Sequence, residues 1–309
     1  MHILDIFGLR STTVSFEFFP PATDAAAEDL FREMRDLEPL RPSFVSVTYG
    51  AGGGTRRRTH DLVARIKRQT GLDPMPHLTC IYHTEAEIYD LLEMYAQLGV
   101  SNILALGGDP PRDKPDYDRS RDAFRYAADL VRFVRRFKER HAGSLIPDPR
   151  GFGIGVAGFP EGHPGTPNRL REMDLLKAKV DEGADFVITQ LFFDNRDFYD
   201  FRERCDLAGI KAPIIAGVMP VTSASGMRRM AELALGARFP ARLMRALARC
   251  DGDDAAVKRV GVHWATEQCR DLLDNSVKGI HLYTLNRSPA TREIYASLGI
   301  KDSLALAAK

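Results

Sequence analysis

Short apolar runs rich in β-branched and aromatic residues alternate along this chain with longer segments whose apolar positions recur every three to four residues. Period-two patterning predicts strands at 14–19, 44–48, 75–80, 102–106, 152–157, 186–190, 213–217 and 279–283. Helical periodicity follows each strand, over roughly 24–38, 55–69, 84–98, 119–141, 168–182, 195–208, 222–235 and 289–298. An extra helical insertion, about 239–275, precedes the last strand. Strict alternation of strand and helix implies a parallel sheet with right-handed crossovers, and eight near-equal units imply closure into a (β/α)8 TIM barrel. The whole of 1–309 then reads as a single catalytic domain. A doubly wound open sheet is the competing arrangement.

In a barrel, function collects on the loops after the strand C-termini. Those positions hold Glu17, Thr48-Tyr49-Gly50-Ala51, Gly107-Gly108-Asp109-Pro110-Pro111, the Phe159-Pro160-Glu161-Gly162-His163-Pro164 loop, Gln190, Met219-Pro220 and Tyr283-Thr284-Leu285-Asn286-Arg287. His77 lies within the third strand. Glu17 is the most telling of these. Val14, Phe16 and Phe18 share one face of the first strand, Ser15, Glu17 and Phe19 share the other, and Pro20-Pro21 ends the ladder just beyond. An ionised carboxylate among three phenylalanines loses hydration, which pushes its pKa upward toward the range of a general acid. The alternative is a buried Glu satisfied by an Arg or Lys elsewhere.

Three further motifs have two readings each. Gly153-Ile154-Gly155-Val156-Ala157-Gly158 spells G-x-G-x-x-G, but a dinucleotide fingerprint needs its glycines in a strand-to-helix turn. Strand-like residues fill the gaps here, so the run reads as a barrel strand whose glycines allow close approach. Residues 50–55 precede Arg56-Arg57-Arg58 and a helix, and three cations in a first turn oppose the helix dipole. A bound anion such as a cofactor diphosphate would remove that conflict; solvated arginines on a flexible loop are the alternative. Turn chemistry alone explains Asp109, although its strand-end position in register with Glu17 favours a functional role. His163 and Lys179 could bind cofactor phosphates, the alternatives being a surface histidine and a snorkelling lysine.

Composition narrows the class. Lys+Arg 43 against Asp+Glu 42 gives a formal net charge of +1, so no nucleic-acid or other polyanion partner is expected. Cys80, Cys205, Cys250 and Cys269 form no C-x-x-C pair, which argues against structural zinc, an iron–sulfur cluster or a disulfide framework. Asp5 interrupts the apolar start, no small-residue cleavage site follows, and no later run is long enough to span a membrane. The expectation is a soluble cytoplasmic protein with a small-molecule substrate, as a monomer or a homo-oligomer.

Five segments carry a family resemblance: Phe16-Glu17-Phe18-Phe19-Pro20-Pro21, Val47-Thr48-Tyr49-Gly50-Ala51, Gly108-Asp109-Pro110-Pro111, Thr189-Gln190-Leu191-Phe192-Phe193-Asp194 and Tyr283-Thr284-Leu285-Asn286-Arg287. In this order they resemble bacterial methylenetetrahydrofolate reductase, and they cover nearly the whole chain. The resemblance implies an FAD-bearing barrel that takes hydride from NADH or NADPH. It implies delivery to 5,10-methylenetetrahydrofolate, giving 5-methyltetrahydrofolate for methionine synthesis. Glu17 then matches the acid that assists opening of the five-membered ring to the reactive iminium, and Asp109 a residue near both flavin and pterin. Gln190 and Thr48 match neighbouring positions around one cavity used in turn by nicotinamide and folate, and Tyr283 and Arg287 match folate contacts. Tyr49, Ala51, His77, Gly108, Ala127, His163 and Lys179 match positions around FAD.

The chain also departs from the family pattern. Gly107 stands where many relatives have Arg, Phe159 where some have Tyr, Glu172 where Asp is common, and Ala224 near a position where some stack an aromatic. With Gly107, one cationic cofactor contact is missing. With the sequence ending at Lys309, the regulatory domain of the eukaryotic enzymes is not expected. Two other classes compete: a barrel that binds folate or flavin without turnover, and another flavin-dependent or metal-dependent barrel enzyme. The first has no need of a desolvated acid, and no His/Asp/Glu set with convincing metal-ligand spacing supports a metal enzyme.

Overall fold

The structure is a computed structural model and describes residues 1–49, 56–109, 116–140, 148–234 and 237–306. A short helix, α1 (Ile3–Leu9), precedes eight strands: β1 (Thr13–Phe18), β2 (Phe44–Val47), β3 (Pro74–Thr79), β4 (Asn102–Leu106), β5 (Gly153–Gly158), β6 (Phe186–Thr189), β7 (Ile214–Val218) and β8 (Gly279–Tyr283). They pair in parallel in sequence order, and β8 returns to β1, so the sheet is a closed barrel rather than an open one. Helices α2 (Asp24–Leu37), α3 (Arg56–Gln69), α4 (Glu85–Gln97), α5 (Ala127–Arg140), α6 (Arg169–Asp181), α7 (Asn195–Leu207), α8 (Ala224–Leu233) and α11 (Pro289–Leu298) follow the strands. The insertion before β8 is two helices, α9 (Ala241–Ala248) and α10 (Asp254–Asp274). No helix among the described residues is long and apolar enough to cross a membrane.

The strands are where the pattern predicts them, within a residue at each end. The helix expected over 119–141 is interrupted: a 3₁₀ turn spans Arg119–Arg121 and α5 opens only at Ala127. Asp118 makes a local bond instead of a helical turn, accepting from Ser120 N–H at 2.9 Å, and Asp122 reaches across to accept from Tyr82 N–H at 3.4 Å. The helix α1 has no counterpart in the predicted elements. Its seven residues are too few for a periodicity to declare itself, and tertiary burial holds it.

Alternation along each strand gives two cores. Phe16, Phe18, Val45 and Val47 point outward and are fully buried beneath the helices. Inside, Phe44, Met75, Leu104, Phe186, Ile188 and Ile215 fill the end of the barrel remote from the loops, and Ile3 and Ile6 of α1 plug it. Asn102 ties α1 in place, accepting from Ile3 N–H at 2.7 Å and donating to the Met1 carbonyl at 2.8 Å. The glycines of β5 make this filling possible. A Cβ at Gly155 would lie 2.5 Å from the Phe186 ring, so the G-x-G run is a strand with close approach, not a dinucleotide turn. The polar ends of the strands are thereby left together at the opposite mouth.

Candidate active site

Glu17 points into the barrel from β1, level with Ser46 of β2 and Tyr283 of β8. Its Oε2 lies 3.5 Å from His77 Nε2 and 3.7 Å from His281 Nε2, and its side chain is 19% exposed at the mouth. The surroundings therefore differ from the phenylalanine cage expected. Phe16 and Phe18 face the helices, and Phe19 is 42% exposed, because the chain leaves the strand there. The neutralising cation of the alternative reading is also missing: among the described residues no Lys or Arg pairs with Glu17. Two imidazoles take that place.

The imidazoles are held differently. Burial pushes His77 down to about 4, against the pull of Glu17, so its ring is neutral near neutral pH. His77, expected among cofactor contacts, lies against the Glu17 carboxyl. His281, which was not singled out from the sequence, is fully buried; Ser15 Oγ lies 2.7 Å from its Nδ1 and Ser46 Oγ 3.3 Å from its Nε2. Its ring stacks on Phe44 and meets the Tyr283 ring edge-on, with centroids 6.2 and 5.2 Å apart. Alternation in β8 would have revealed it, since it lies two residues before Tyr283 on the same inward face. The backbone of Glu17 is fixed as well, its carbonyl accepting from Thr284 Oγ1 at 2.6 Å.

Tyr283 donates its hydroxyl to the Thr189 carbonyl at 2.9 Å, and burial pushes its phenol well up. Gly217 makes room for it: a Cβ there would lie 2.8 Å from the Tyr283 ring. Gln190 follows β6, with its N–H on the Gly158 carbonyl at 2.7 Å and its Oε1 accepting from Leu191 N–H at 2.9 Å. Thr48 follows β2, donating its N–H to the Phe18 carbonyl at 2.9 Å. Thr48 and Gln190 are not neighbours, as had been expected. In the closed order β2 and β6 stand on opposite sides of the barrel, so these two residues face each other across its mouth. Tyr49 is steadied by His83, its hydroxyl 3.0 Å from Nε2, while His83 Nδ1 lies 3.0 Å from the Ile81 carbonyl. Arg287 stands apart from this group, exposed and 3.7 Å from Glu33 of α2, lining a hollow of about 560 Å³ on the barrel's flank.

A second polar cluster occupies the ends of β4 and β5. Gly108 has φ 75°, and a Cβ there would lie 3.1 Å from Thr79, which accounts for glycine beside Asp109. Asp109 and Lys179 both act electrostatically on His163, whose pKa burial pushes down, and the His163 ring meets Phe159 edge-on at 4.6 Å. Burial pushes the Lys179 amine down to about 8, and its Nζ donates to the Ala157 carbonyl at 2.6 Å. Burial raises Glu172, which takes a bond from the His163 backbone N–H and keeps Oε2 buried without a partner. Ala127 opens α5 nearby in sequence. A cation, an imidazole and an orphaned carboxylate oxygen together suit a ligand bearing both phosphate and hydroxyl groups.

Two outcomes bear on the departures noted above. Gly107 carries no side chain, but Arg119 donates from Nη2 to its carbonyl at 2.9 Å, bringing a guanidinium to that strand end, with its Nε buried 3.7 Å from Asp122 Oδ2. Arg119 was not singled out from the sequence, because it falls within the interrupted helix. Ala51, with Gly50 and the rest of 50–55, lies outside the described residues, as do Pro110 and Pro111. Among the described residues no group of three or more His, Cys, Asp and Glu could hold a metal ion.

Comparison with known proteins agrees with this arrangement. A family model described as methylenetetrahydrofolate reductase matches residues 3–299. The chain is 38% identical over 293 residues to 5,10-methylenetetrahydrofolate reductase of Escherichia coli (strain K12), covering 94% of this chain and 92% of that one. It is 38% identical over 300 residues to methylenetetrahydrofolate reductase (NADH) 1 of Arabidopsis thaliana, covering 94% of this chain but only 49% of the relative. It thus spans about half the length of that plant relative. Among solved structures, a Clostridium thermocellum protein that binds two copies of 5-methyl-5,6,7,8-tetrahydrofolic acid superposes with a TM-score of 0.64 at 13% identity. That alignment covers 97% of this chain and 99% of that one, and at such identity it bears on the fold alone. With the family model spanning nearly its whole length and a bacterial relative matched almost end to end, the chain belongs to the methylenetetrahydrofolate reductase family.

Proposed function

We propose that this chain reduces 5,10-methylenetetrahydrofolate to 5-methyltetrahydrofolate at the barrel mouth, with FAD as resident cofactor and NADH or NADPH as reductant, feeding methionine synthesis. The observation that carries the reading is Glu17, an acid held at the mouth between two imidazoles, with no Lys or Arg paired to it among the described residues. Glu17 serves here as the general acid, handing a proton to the bound folate. That proton goes to the aryl-amine nitrogen of the folate's five-membered ring. The bond from that nitrogen to the bridging carbon breaks, its electron pair staying on nitrogen, while the pterin nitrogen's lone pair forms the iminium.

The cluster of Asp109, His163, Glu172 and Lys179 fits FAD, Lys179 and His163 suiting its phosphates and Glu172 its hydroxyls. Arg119 adds a guanidinium at the β4 end. Bound FAD would supply the hydride relay from nicotinamide to folate. The name of the plant relative includes NADH, which favours that nucleotide. Thr48 and Gln190 face across the mouth, where nicotinamide and folate would occupy one space in turn.

The test is optical. Protein loaded with FAD is expected to be yellow, to bleach on anaerobic addition of NADH, and to regain its colour with methylenetetrahydrofolate as 5-methyltetrahydrofolate forms. Bleaching without recovery would remove the folate reaction. Folate reduction by protein that takes up no flavin would remove the cofactor.

A further inference from the structure

We propose that Arg119, in the 3₁₀ turn after β4, supplies the cationic contact to the FAD diphosphate that glycine at position 107 leaves out, and that Asp122 is the residue that positions it. The inference rests on the FAD reading above and deepens it by giving the anion contact to a residue outside the five segments that carry the family resemblance.

The guanidinium is held in place by a built arrangement. Asp118 caps the 3₁₀ turn, accepting from Ser120 N–H at 2.9 Å, and the turn carries Arg119 back to the end of β4. There Nη2 donates to the Gly107 carbonyl at 2.9 Å, two residues before Asp109. The Asp122 side chain, only 2% exposed, is fixed from its other side: Oδ1 accepts from the Tyr117 hydroxyl and from Tyr82 N–H. Its Oδ2 is thereby turned toward Arg119 Nε, 3.7 Å away. The Tyr82 and Tyr117 rings pack together with centroids 4.5 Å apart, and Tyr82 adopts left-handed backbone at φ 59°. Such a conformation persists only where the contacts around it impose it.

One edge of the fork is left over. Nε and Nη2 form the side edge, which faces Asp122 and Gly107. Nη1 makes no hydrogen bond among the described residues, and the side chain is 35% exposed. The end edge, Nη1 with the second hydrogen of Nη2, can therefore meet two oxygens of one phosphate. Position 107 itself has room for a side chain, since a Cβ there would meet nothing within 4 Å. Packing does not demand glycine at 107, and the cation comes to the same peptide from Arg119 instead. The end of β4 adjoins that of β5, so the guanidinium joins the side of the mouth where Asp109, His163 and Lys179 already suit a phosphate ligand.

The competing account is that Arg119 only neutralises Asp122. A dedicated counterion would bond Oδ2 directly, whereas 3.7 Å is beyond hydrogen-bond reach and Oδ1 already has two donors. Asp122 steers the fork without capturing it.

Flavin fluorescence titration measures the affinities for FAD and for riboflavin, which carries the same ring and ribityl chain but no phosphate. R119Q is expected to weaken FAD by roughly 10–100-fold, as loss of a charge-assisted contact does, and to leave riboflavin within about threefold. G107R/R119Q, with the cation moved to the open position, is expected to regain most of the FAD affinity. D122N is expected to lose part of it, again with riboflavin unchanged. R119Q that binds FAD like wild type or loses riboflavin as severely as FAD, or a double variant no tighter than R119Q, makes Arg119 a brace of the loop and overturns the proposal. D122N with wild-type FAD affinity removes Asp122 as its positioning residue. Should R119Q fail to fold, R119K decides, since its single ammonium cannot serve the carbonyl and a phosphate together: FAD affinity equal to wild type overturns the proposal. Wild-type protein that takes up neither FAD nor riboflavin would instead overturn the cofactor reading itself.

Discussion

The side-chain amide of Asn286 clasps the backbone of Phe19, its Nδ2 donating to the carbonyl at 2.8 Å and its Oδ1 accepting from the N–H at 2.9 Å. This reciprocal pair closes the seam between β8 and β1 two residues beyond Glu17. Leu285 and Asn286 both adopt left-handed backbone, with φ 53° and 59°. Asn tolerates that conformation and Leu does not, so strain of order 1–3 kcal/mol is held beside the acid. The clasp is what holds it there.

Replacing Asn286 by Ala removes both bonds while leaving the Glu17 side chain intact. Stability should fall by about 1–3 kcal/mol, read as a lower urea midpoint at unchanged slope. Reoxidation by folate should slow more than reduction by NADH, because the misplaced group is the acid. An N286A protein with wild-type urea midpoint and rates would show that the seam needs no clasp.

Glu17→Gln keeps the size of the side chain and removes its proton. Losing a general acid should slow the folate half-reaction roughly 10²–10⁴-fold, about 3–5 kcal/mol of barrier. Reduction by NADH requires no proton from the protein and should change far less. Equal slowing of both, timed by stopped flow, would make Glu17 structural.

Most of the barrel was legible because closed parallel strands are buried on both faces and separated by long amphipathic helices. The acid was legible for the same reason: a carboxylate on an apolar strand stands out. Its true neighbours were not, since His77 and His281 come from β3 and β8, which only closure of the barrel brings to β1. Thr48 and Gln190 were assigned as neighbours because loop residues read one by one carry no angular position, and closure of the barrel sets them opposite. Arg119 was obscured by its apparently helical surroundings. Seven residues of α1 gave no periodic signal, yet they seal the barrel floor.

That seal can be tested directly. Ile3 is fully buried against the inner faces of β4 and β5, and Asn102 pins its backbone. Ile3→Ala should cost roughly 2–5 kcal/mol of unfolding free energy with FAD affinity unchanged, since the plug and the polar mouth lie at opposite ends. A thermal midpoint equal to wild type would mean that α1 detaches freely.

Because Thr48 and Gln190 face each other across one mouth, nicotinamide and folate should exclude each other. Initial rates are expected to give parallel double-reciprocal lines, as a ping-pong sequence requires. Gln190→Ala should weaken both substrates rather than one. Intersecting lines with an isolable ternary complex would separate the two sites.

Lys179 makes the pH dependence of cofactor binding predictable. Its amine is held at about 8 by burial, against 10.5 ordinarily. A phosphate binds the charged form, so FAD affinity should fall as pH rises through about 8, and binding near that pH should take up a proton. Calorimetry in two buffers of different ionisation enthalpy measures that uptake. The sign for folding is the opposite. Between about 8 and 10.5 the unfolded chain holds a proton that the unliganded native chain has lost, so unliganded stability should rise with pH in that window. Lys179→Met removes both effects and should weaken FAD by roughly 10–100-fold at neutral pH, the worth of one charge-assisted hydrogen bond. An FAD affinity that is flat from pH 7 to 9.5 in the wild type, or unchanged in K179M, would take Lys179 out of the cofactor site.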